Sequence, residues 1–381
     1  MIDIYDILNK KTELLCKGVL LDKSLIDSSS IRGDGISLGR RGGAGPLGGR
    51  YFLFEDDKTL VNIHLWPDQQ INSNRTNLIL KKVNDHFEIY DKIKNEFFSR
   101  LKLINFPEFY KLKTSDGILM KKIALSHGKD CLASTIYQKC KYWACGEACK
   151  FCGIELSLNS DATVLEKNYE QISEVITAAK IEGRCKHMTL TSGTMVEDDE
   201  LINRYVTILE GLKKDHSDIS LHIQIEPIEN LENINKLKEA GADTIGIHIE
   251  ILDEILRKMI TPGKAKIPYQ LFEDNWLHAL DIFGKNQVET FLLCGFGENC
   301  KEFMRNLERL ISLGIITYIV PVRSIPDNKF NFPLMNHKFF LEIYKRTAEM
   351  MYEYGVNPLE NNAGCVRCGG CSAIIEAYEA V

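Results

Sequence analysis

Short apolar runs alternate with longer stretches, in which apolar residues recur every three or four positions, from about residue 132 to residue 322. The short runs are typical of buried strands, and the longer stretches of helices that cover a sheet. The predicted strands are 132–138, 187–191, 220–226, 244–250, 288–294 and 316–322, and the clearest predicted helices are 163–181, 230–240, 269–284 and 301–313. This repetition predicts a parallel sheet, either doubly wound or forming a partial or full (β/α) barrel.

The first 120 residues follow a different pattern. Residues 1–21 form an amphipathic pattern typical of a helix, and a glycine-rich stretch lies within 32–49. A hairpin is predicted with strands at 51–55 and 59–66, followed by helical pattern near 85–103. We therefore expect an α/β chain in three parts: an N-terminal α+β extension with a Gly-rich loop at 1–120, a (β/α) barrel at 121–335, and a C-terminal helix with a cysteine-rich segment at 336–381.

Composition narrows the class of protein. An apolar fraction of 44% and a charged fraction of 26% are ordinary for a globular chain, and the net charge of −6 offers nucleic acid no basic surface. No apolar run approaches the ~20 residues that a membrane span needs. We expect a cytoplasmic protein without a nucleic-acid or membrane partner. Twelve cysteines in such a reducing compartment favour metal or iron–sulfur binding over disulfides.

Three cysteines follow the first predicted strand with C-x3-C-x2-C spacing: Cys145, Cys149 and Cys152. Three thiolates on a [4Fe–4S] cluster leave one iron free to bind the amino and carboxylate groups of a small molecule. Phe151 would shield such a cluster from solvent. The alternatives are a zinc site or buried structural thiols, but zinc sites usually combine C-x2-C pairs into four closed ligands. Cys140 is close enough in sequence to compete as a ligand.

This motif, at the end of the first strand of a βα array, resembles that of the radical S-adenosylmethionine (SAM) superfamily. The resemblance covers about residues 132–326, half of the chain. It implies a radical SAM barrel, a SAM molecule bound at the open iron, and a reductant such as ferredoxin or flavodoxin. Reductive cleavage of SAM would then yield a 5′-deoxyadenosyl radical, with the protein supplying position and exclusion of water.

The resemblance also implies residues that bind SAM at the strand ends. The backbone of the second-strand motif would hold the methionine amino group, carboxylates would hold the ribose or the ammonium, an arginine the methionine carboxylate, and a glycine and a valine would lie near adenine. The residues are Phe151, Thr191, Ser192, Gly193, Glu226, Glu250, Arg257, Gly295 and Val322. An ordinary turn at 191–193 and a surface pair of Glu250 with Arg257 are the simpler alternatives.

A second cysteine group, Cys365, Cys368 and Cys371, has C-x2-C-x2-C spacing near the C-terminus. It resembles the ligand sets of iron–sulfur proteins and predicts an auxiliary [4Fe–4S] cluster. A zinc site completed by a remote residue is the alternative. The candidates for the fourth ligand are Ser372, Cys131, Cys140 and a substrate.

Within the superfamily, the strand motifs, the stretch 125–132 and the extra cysteines resemble the biotin synthase and lipoyl synthase-like branch, which includes the two-protein lipoate synthases. The implied reaction abstracts hydrogen from an unactivated C–H bond and inserts sulfur from the auxiliary cluster. An octanoylated carrier protein or peptide and a second radical SAM subunit would be its partners. The classical lipoyl synthase, however, carries its auxiliary cysteines before the barrel.

Two other functions stay open. One is a different radical SAM transformation in cofactor biosynthesis, such as a rearrangement or ring formation. The other is a non-catalytic iron–sulfur electron carrier.

The segment 40–46, with two arginines and three glycines, would bind an anion, close over the site as a lid, or form a plain loop.

Overall fold

The structure is a computed structural model that describes residues 3–32, 49–66, 74–323 and 334–381. The described helices, α1 to α14, are Ile4–Lys17, Ser29–Arg32, Met120–Ile123, Lys141–Ala144, Ile154–Asn159, Tyr169–Ile181, Asp198–Asp215, Glu232–Glu239, Glu254–Ile260, Tyr269–Phe283, Cys300–Ser312, His337–Glu353, Gly364–Cys368 and Ile374–Glu379. The described strands, β1 to β13, are Val19–Leu21, Gly49–Phe54, Leu60–Trp66, Leu78–Val83, His86–Asp91, Glu96–Leu103, Leu125–His127, Cys131–Thr135, His187–Thr191, Ser220–Ile225, Thr244–Ile247, Val288–Cys294 and Ile316–Pro321. No described helix is long and apolar enough to span a bilayer.

The strands β1 to β6 form a small closed barrel in the order β1-β3-β2-β6-β5-β4. The predicted hairpin is confirmed, since β2 and β3 are antiparallel neighbours. The helical pattern expected near 85–103 is wrong, because β5 and β6 pair antiparallel there. Asn84 and Asn95 turn the chain at φ of 54° and 56°, and the alternating aromatic and β-branched residues between them suit a pleated surface better than a helix. The Gly-rich segment 40–46 lies outside the described residues.

Strands β7 to β13 form one open sheet in chain order, with β7 antiparallel to β8 and all later neighbours parallel. The sheet curls into a half-barrel, so the predicted α/β fold is confirmed as a partial barrel. All six predicted strands are present within a few residues of their expected bounds. Their carboxyl ends meet at one rim, where barrel enzymes build their active sites, and their amino ends meet at the other.

The C-terminal segment packs on the amino-terminal side of the half-barrel, between it and the small barrel. Lys11 of α1 is fully buried and donates hydrogen bonds to Gly369 O and to both carboxylate oxygens of Glu376, each at 2.8 Å. The backbone N–H of Asn62 in β3 donates to Gly370 O at 2.7 Å. Helix α1 and strand β3 therefore hold the loop that carries the last three cysteines.

Candidate active site

The first cysteine loop follows β8 at the carboxyl rim of the half-barrel. It begins with the short helix α4 and is held against the segment after β11, because Lys150 N donates to Ile260 O at 2.8 Å and Gly263 N donates to Glu147 O at 3.2 Å. Loops at this rim are bound to one another by their own backbones, which fixes the cysteines relative to the strand ends.

The three thiols differ in exposure. Cys149 and Cys152 line a cavity at the rim, whereas Cys145 is exposed and its Sγ lies 3.7 Å from both Tyr142 O and the carboxylate of Glu147. Burial raises the pKa of Cys152 to about 11 and raises the pKa of Cys149 further, with Glu250 adding to the latter. Buried thiols of this kind need a metal or a cation to become thiolates.

The cavity has a volume of about 280 Å³. Six of the residues predicted to bind SAM line it together with the two buried cysteines: Phe151, Thr191, Ser192, Gly193, Glu226 and Glu250. They come from the ends of β8, β9, β10 and β11, which are neighbours in the sheet. The half-barrel therefore brings together residues that are up to 99 positions apart in sequence, from Phe151 to Glu250.

Gly193 has a steric reason to be glycine. A Cβ atom there would lie 1.8 Å from Lys139 O, and Gly193 N donates to Tyr137 O at 2.8 Å. The loop after β9 thus lies directly against the chain that leads into the cysteine loop. Ser192 Oγ donates to Gly193 O at 2.8 Å. Backbone contact at this distance positions the 191–193 carbonyls beside the cysteines.

An ionic network forms part of the cavity wall. Lys264 Nζ donates to the two carboxylate oxygens of Glu250 at 2.6 and 2.9 Å, and lies 3.8 Å from Glu226. Tyr142 OH donates to the other oxygen of Glu226 at 3.2 Å. Burial opposes the charge on Lys264, but Glu250 and Glu226 outweigh it and raise the pKa of the ammonium. The network therefore offers an ammonium group and two carboxylates, which can pair with the carboxylate and the amino group of an amino acid moiety.

Glu250 carries backbone strain at this point. Its φ is 57°, a conformation that L-residues other than Asn and Asp rarely adopt. Strain of this kind costs of order 1–3 kcal/mol and concentrates at functional sites. Its carboxylate is held by Lys264, so the suggested surface pair with Arg257 is wrong.

Three predicted SAM-binding residues do not line this cavity. Arg257 is buried in α9, where its Nε and Nη1 atoms find no hydrogen-bond partner among the described residues. Gly295, at φ 113°, and Val322 both pack beside Met335, and Val322 N donates to Cys294 O. Their expected contacts with SAM stay predictions that the cavity lining does not favour.

Sequence reasoning overlooked Lys264, Tyr142 and Gln224, all of which line the cavity. Gln224 had a signal, because alternation along β10 puts it on the same face as Glu226. Lys264 lies in the irregular segment between α9 and α10, where no periodicity marks an inward residue.

The second cysteine group lies inside the half-barrel near its amino-terminal end. Helix α13 packs on β9 and β10, and Gly364 N donates to His187 Nδ1 at 3.1 Å. Amide side chains donate to two of the sulfurs: Asn62 Nδ2 to Cys371 Sγ at 3.6 Å, and Gln224 Nε2 to Cys365 Sγ at 3.8 Å. These contacts come from the small barrel and from the half-barrel respectively.

The surroundings of this group are buried. Burial raises the pKa of Cys368 to about 12, with Cys371 adding to the shift, and raises the pKa of Cys365 well above its usual value. The turn before β8 lies against this group, since a Cβ atom at Gly128 would lie 3.4 Å from Cys368 Sγ and 2.3 Å from Leu60 Cδ2. Among the fourth-ligand candidates, Cys140 lines the cavity at the opposite rim, and Cys131 lies within the half-barrel with its Sγ 3.8 Å from Thr189 Oγ1.

The donor chemistry of the first loop fits an iron–sulfur cluster. In the parts of the chain that the structure describes, no three cysteine, histidine or carboxylate side chains already stand as a closed metal-binding set. The loop nevertheless supplies three thiols within eight residues, two of them in a cavity wall with an ion-paired lysine and two carboxylates. Cys145, Cys149 and Cys152 would hold the cluster, and Lys264, Glu226 and Glu250 would face its small-molecule ligand.

The open half-barrel, with cysteines and carboxylates at its carboxyl rim, defines a (β/α)-barrel enzyme. Residues 143–310 match the Radical SAM superfamily. This part of the chain is therefore a radical SAM domain, which agrees with the expected superfamily over residues 143–310 and implies a [4Fe–4S] cluster and SAM as cofactors. The match begins at Trp143, just before the first cysteine, and ends within α11.

The chain also shows weak similarity to several solved structures. Methylornithine synthase is 16% identical with a TM-score of 0.44, covering 71% of this chain and 78% of that one. The FeFe-hydrogenase maturase HydG from Carboxydothermus hydrogenoformans is 15% identical with a TM-score of 0.46, covering 60% and 51%. SuiB from Streptococcus suis is 13% identical with a TM-score of 0.41, covering 63% and 49%. The chain spans about half the length of the last two, and no curated protein matches it.

Proposed function

We propose that this radical SAM enzyme inserts sulfur into an unactivated C–H bond of an octanoylated carrier protein or peptide, in the manner of lipoyl synthases. Cys365, Cys368 and Cys371 would hold an auxiliary [4Fe–4S] cluster that donates the sulfur. A ferredoxin or flavodoxin would supply electrons, and a second radical SAM subunit would complete the reaction. The proposal places the chain in the biotin and lipoyl synthase-like branch.

The observation that carries the proposal is the position of Gln224. Its side chain lines the cavity beside Cys149 and Cys152, and its Nε2 also lies 3.8 Å from Cys365 Sγ. One side chain thus spans from the SAM cavity to the second cysteine group. Sulfur insertion needs the substrate carbon to lie between the radical and the sulfur donor, because both must reach the same carbon.

The wall of the cavity also suits an acyl chain. Away from the ionic network, it is lined by aliphatic and aromatic side chains: Ile154, Leu201, Ile202, Ile225, Ile228, Phe291 and Leu293. The alkyl tail of an octanoyl group carries no polar atom that would need a partner among them, and its burial is favourable by about 0.8 kcal/mol per CH₂.

The protein residues have separable tasks. When bound, the first cluster and SAM supply the 5′-deoxyadenosyl radical that abstracts hydrogen. Lys264 and Glu250 would orient the amino acid moiety of SAM, the apolar wall would hold the acyl chain, and burial of the site would exclude water from the carbon radical. The auxiliary site would hold its sulfide within reach of that carbon.

The test is anaerobic turnover with dithionite, SAM and an octanoyl-lysine peptide, read by mass spectrometry. The auxiliary cluster is reconstituted with isotopically labelled sulfide. We expect 5′-deoxyadenosine and a labelled, thiolated peptide from the wild type. The Cys365→Ala/Cys368→Ala/Cys371→Ala variant should still form 5′-deoxyadenosine but no thiolated peptide, and Cys145→Ala/Cys149→Ala/Cys152→Ala should form neither.

The exposed Cys300, at the start of α11, provides the matched control, and Cys300→Ala should behave as the wild type. Hydrogen abstraction without incorporation of label, from a protein whose auxiliary sulfide stays intact, would indicate a different radical transformation. Absence of 5′-deoxyadenosine from fully loaded protein with every peptide would contradict SAM cleavage itself.

A further inference from the structure

A carboxylate lies in the middle of the half-barrel without the partners that burial demands. Glu289 of β12 has no exposed side-chain surface, and neither of its carboxylate oxygens accepts a hydrogen bond from any described residue. Within the described residues, the ion-pair partner of Glu289 is His222 of β10, whose Nε2 lies 3.3 Å from Glu289 Oε1 without the geometry of a hydrogen bond.

The strand register explains why this carboxylate faces the second cysteine group. Gln224 of β10, Gly246 of β11 and Glu289 of β12 are paired across the sheet, so they lie in one row. Gly246 contributes no side chain, and the space above it is taken by two imidazoles: a Cβ atom there would lie 2.4 Å from His248 Cε1 and 3.2 Å from His222 Nε2. Gln224 donates to Cys365 Sγ at 3.8 Å, so the row ends at the second cysteine group.

Helix α13 lies close to this row of residues on β10, β11 and β12. A Cβ atom at Gly364 would lie 2.6 Å from His222 Cγ, which puts the residue before Cys365 in contact with the histidine beside Glu289. Consistent with this arrangement, the carboxylate of Glu289 is the largest contributor, after burial, to the raised pKa of Cys365. Sulfur and carboxylate therefore face the same interior space.

An ionised carboxylate in such a position is costly. Burying a charge without hydrogen bonds is strongly unfavourable unless an opposite charge or a metal compensates it. Barrel interiors are usually filled by branched aliphatic side chains, whereas this one carries His187, His222 and Glu289. A cation at the cysteine group would supply the missing partner.

We propose that Glu289 is the fourth protein ligand of the auxiliary cluster, binding through a carboxylate oxygen the iron that Cys365, Cys368 and Cys371 leave open. The inference rests on the auxiliary cluster of the proposed function. His222 lies beside this carboxylate with its own ring fixed, since its Nδ1 lies 2.7 Å from Thr244 Oγ1. Oxygen ligands bind iron less tightly than thiolates do, so this iron is the one that exchanges.

The test isolates the auxiliary site. In a Cys145→Ala/Cys149→Ala/Cys152→Ala parent chain, reconstitution should give about four irons, one with the Mössbauer doublet of an oxygen-ligated site. Glu289→Ala should lose one iron to a chelator at least about tenfold faster than the parent and give the EPR signal of a three-iron cluster. Glu289→Cys should retain all the iron and lose the oxygen-ligated doublet. Glu239→Gln, exposed on α8, should match the parent.

The other outcomes contradict different parts of the inference: the cluster itself, or Glu289 as its ligand. A parent chain that binds no iron removes the auxiliary cluster, and with it both the ligand and the proposed function. A parent that binds the cluster while both Glu289 variants keep its spectrum and chelator resistance excludes Glu289 alone. Iron loss in Cys131→Ala or His222→Ala, with Glu289→Ala unchanged, would assign the ligand to that residue instead.

Discussion

Lys264 Nζ donates to both carboxylate oxygens of Glu250, at 2.6 and 2.9 Å, inside the wall of the cavity that Cys149 and Cys152 also line. The side chains are 10% and 12% exposed, so neither charge is solvated enough to stand alone. The cysteine loop is tied to the same segment, because Gly263 N donates to Glu147 O. The segment that supplies the charged lysine of the cavity therefore also holds the cysteine loop in place.

We expect Lys264→Met to lower the free energy of unfolding by about 3 kcal/mol, because it leaves Glu250 buried without its partner. Adding Glu250→Gln should restore part of that loss. Urea unfolding of the cluster-free protein measures both. Lys258→Met is the matched control: this exposed lysine of α9 pairs with Glu254 one turn away, and its loss should cost at most about 0.5 kcal/mol. Equal effects at Lys264 and Lys258 would contradict a buried pair.

Gly193→Ala should weaken SAM binding and lower the free energy of unfolding by about 1–3 kcal/mol, since a methyl group cannot fit 1.8 Å from Lys139 O. Calorimetric titration with SAM and urea unfolding provide the two measurements. Gly183→Asn is the control, because a Cβ there meets nothing within 4 Å and asparagine tolerates the φ of 67°. Wild-type SAM affinity in Gly193→Ala would mean that the loop after β9 does not hold SAM.

Lys11→Met should loosen the segment that carries the last three cysteines. The lysine is fully buried and binds Gly369 O as well as Glu376, so its removal should cost about 3 kcal/mol in the local opening of residues 364–379. Hydrogen exchange read by mass spectrometry should report faster exchange in that segment. The neighbouring Lys10→Met removes only a partly exposed pair with Asp6, and its exchange should match the wild type. Unchanged protection in Lys11→Met would contradict the anchoring role.

The small barrel should lose stability in acid through Glu88. Hydrogen bonds from Tyr90 and His86 lower the pKa of Glu88 from 4.5 to about 2, with Arg100 adding to the shift. A carboxyl whose folded pKa is depressed contributes stability that is present above pH 4.5 and is lost as the pH falls toward about 2. Thermal unfolding across this range should therefore show a pH dependence that Glu88→Gln flattens. Glu96→Gln, exposed on β6, should keep the wild-type slope.

Much of the half-barrel could be predicted because its determinants are local. Strand and helix periodicities are read from neighbouring residues, and parallel strands joined by helices leave few topologies open. The C-x3-C-x2-C spacing is local as well, so it correctly placed Cys145, Cys149 and Cys152 in one loop. The error at 85–103 arose where a short amphipathic pattern fits both a helix and a twisted strand pair, and only pairing within the small barrel distinguishes them.

The sequence by itself determined the strands, the cysteine spacing and the rim residues Thr191, Ser192, Gly193, Glu226 and Glu250. Only the tertiary structure decided which partners they meet. Lys264 reaches Glu250 because β11 and the following loop fold back over the rim, and Gln224 reaches Cys365 because α13 inserts into the half-barrel 141 residues later in the chain. Such contacts depend on strand register and chain packing, which no local pattern encodes.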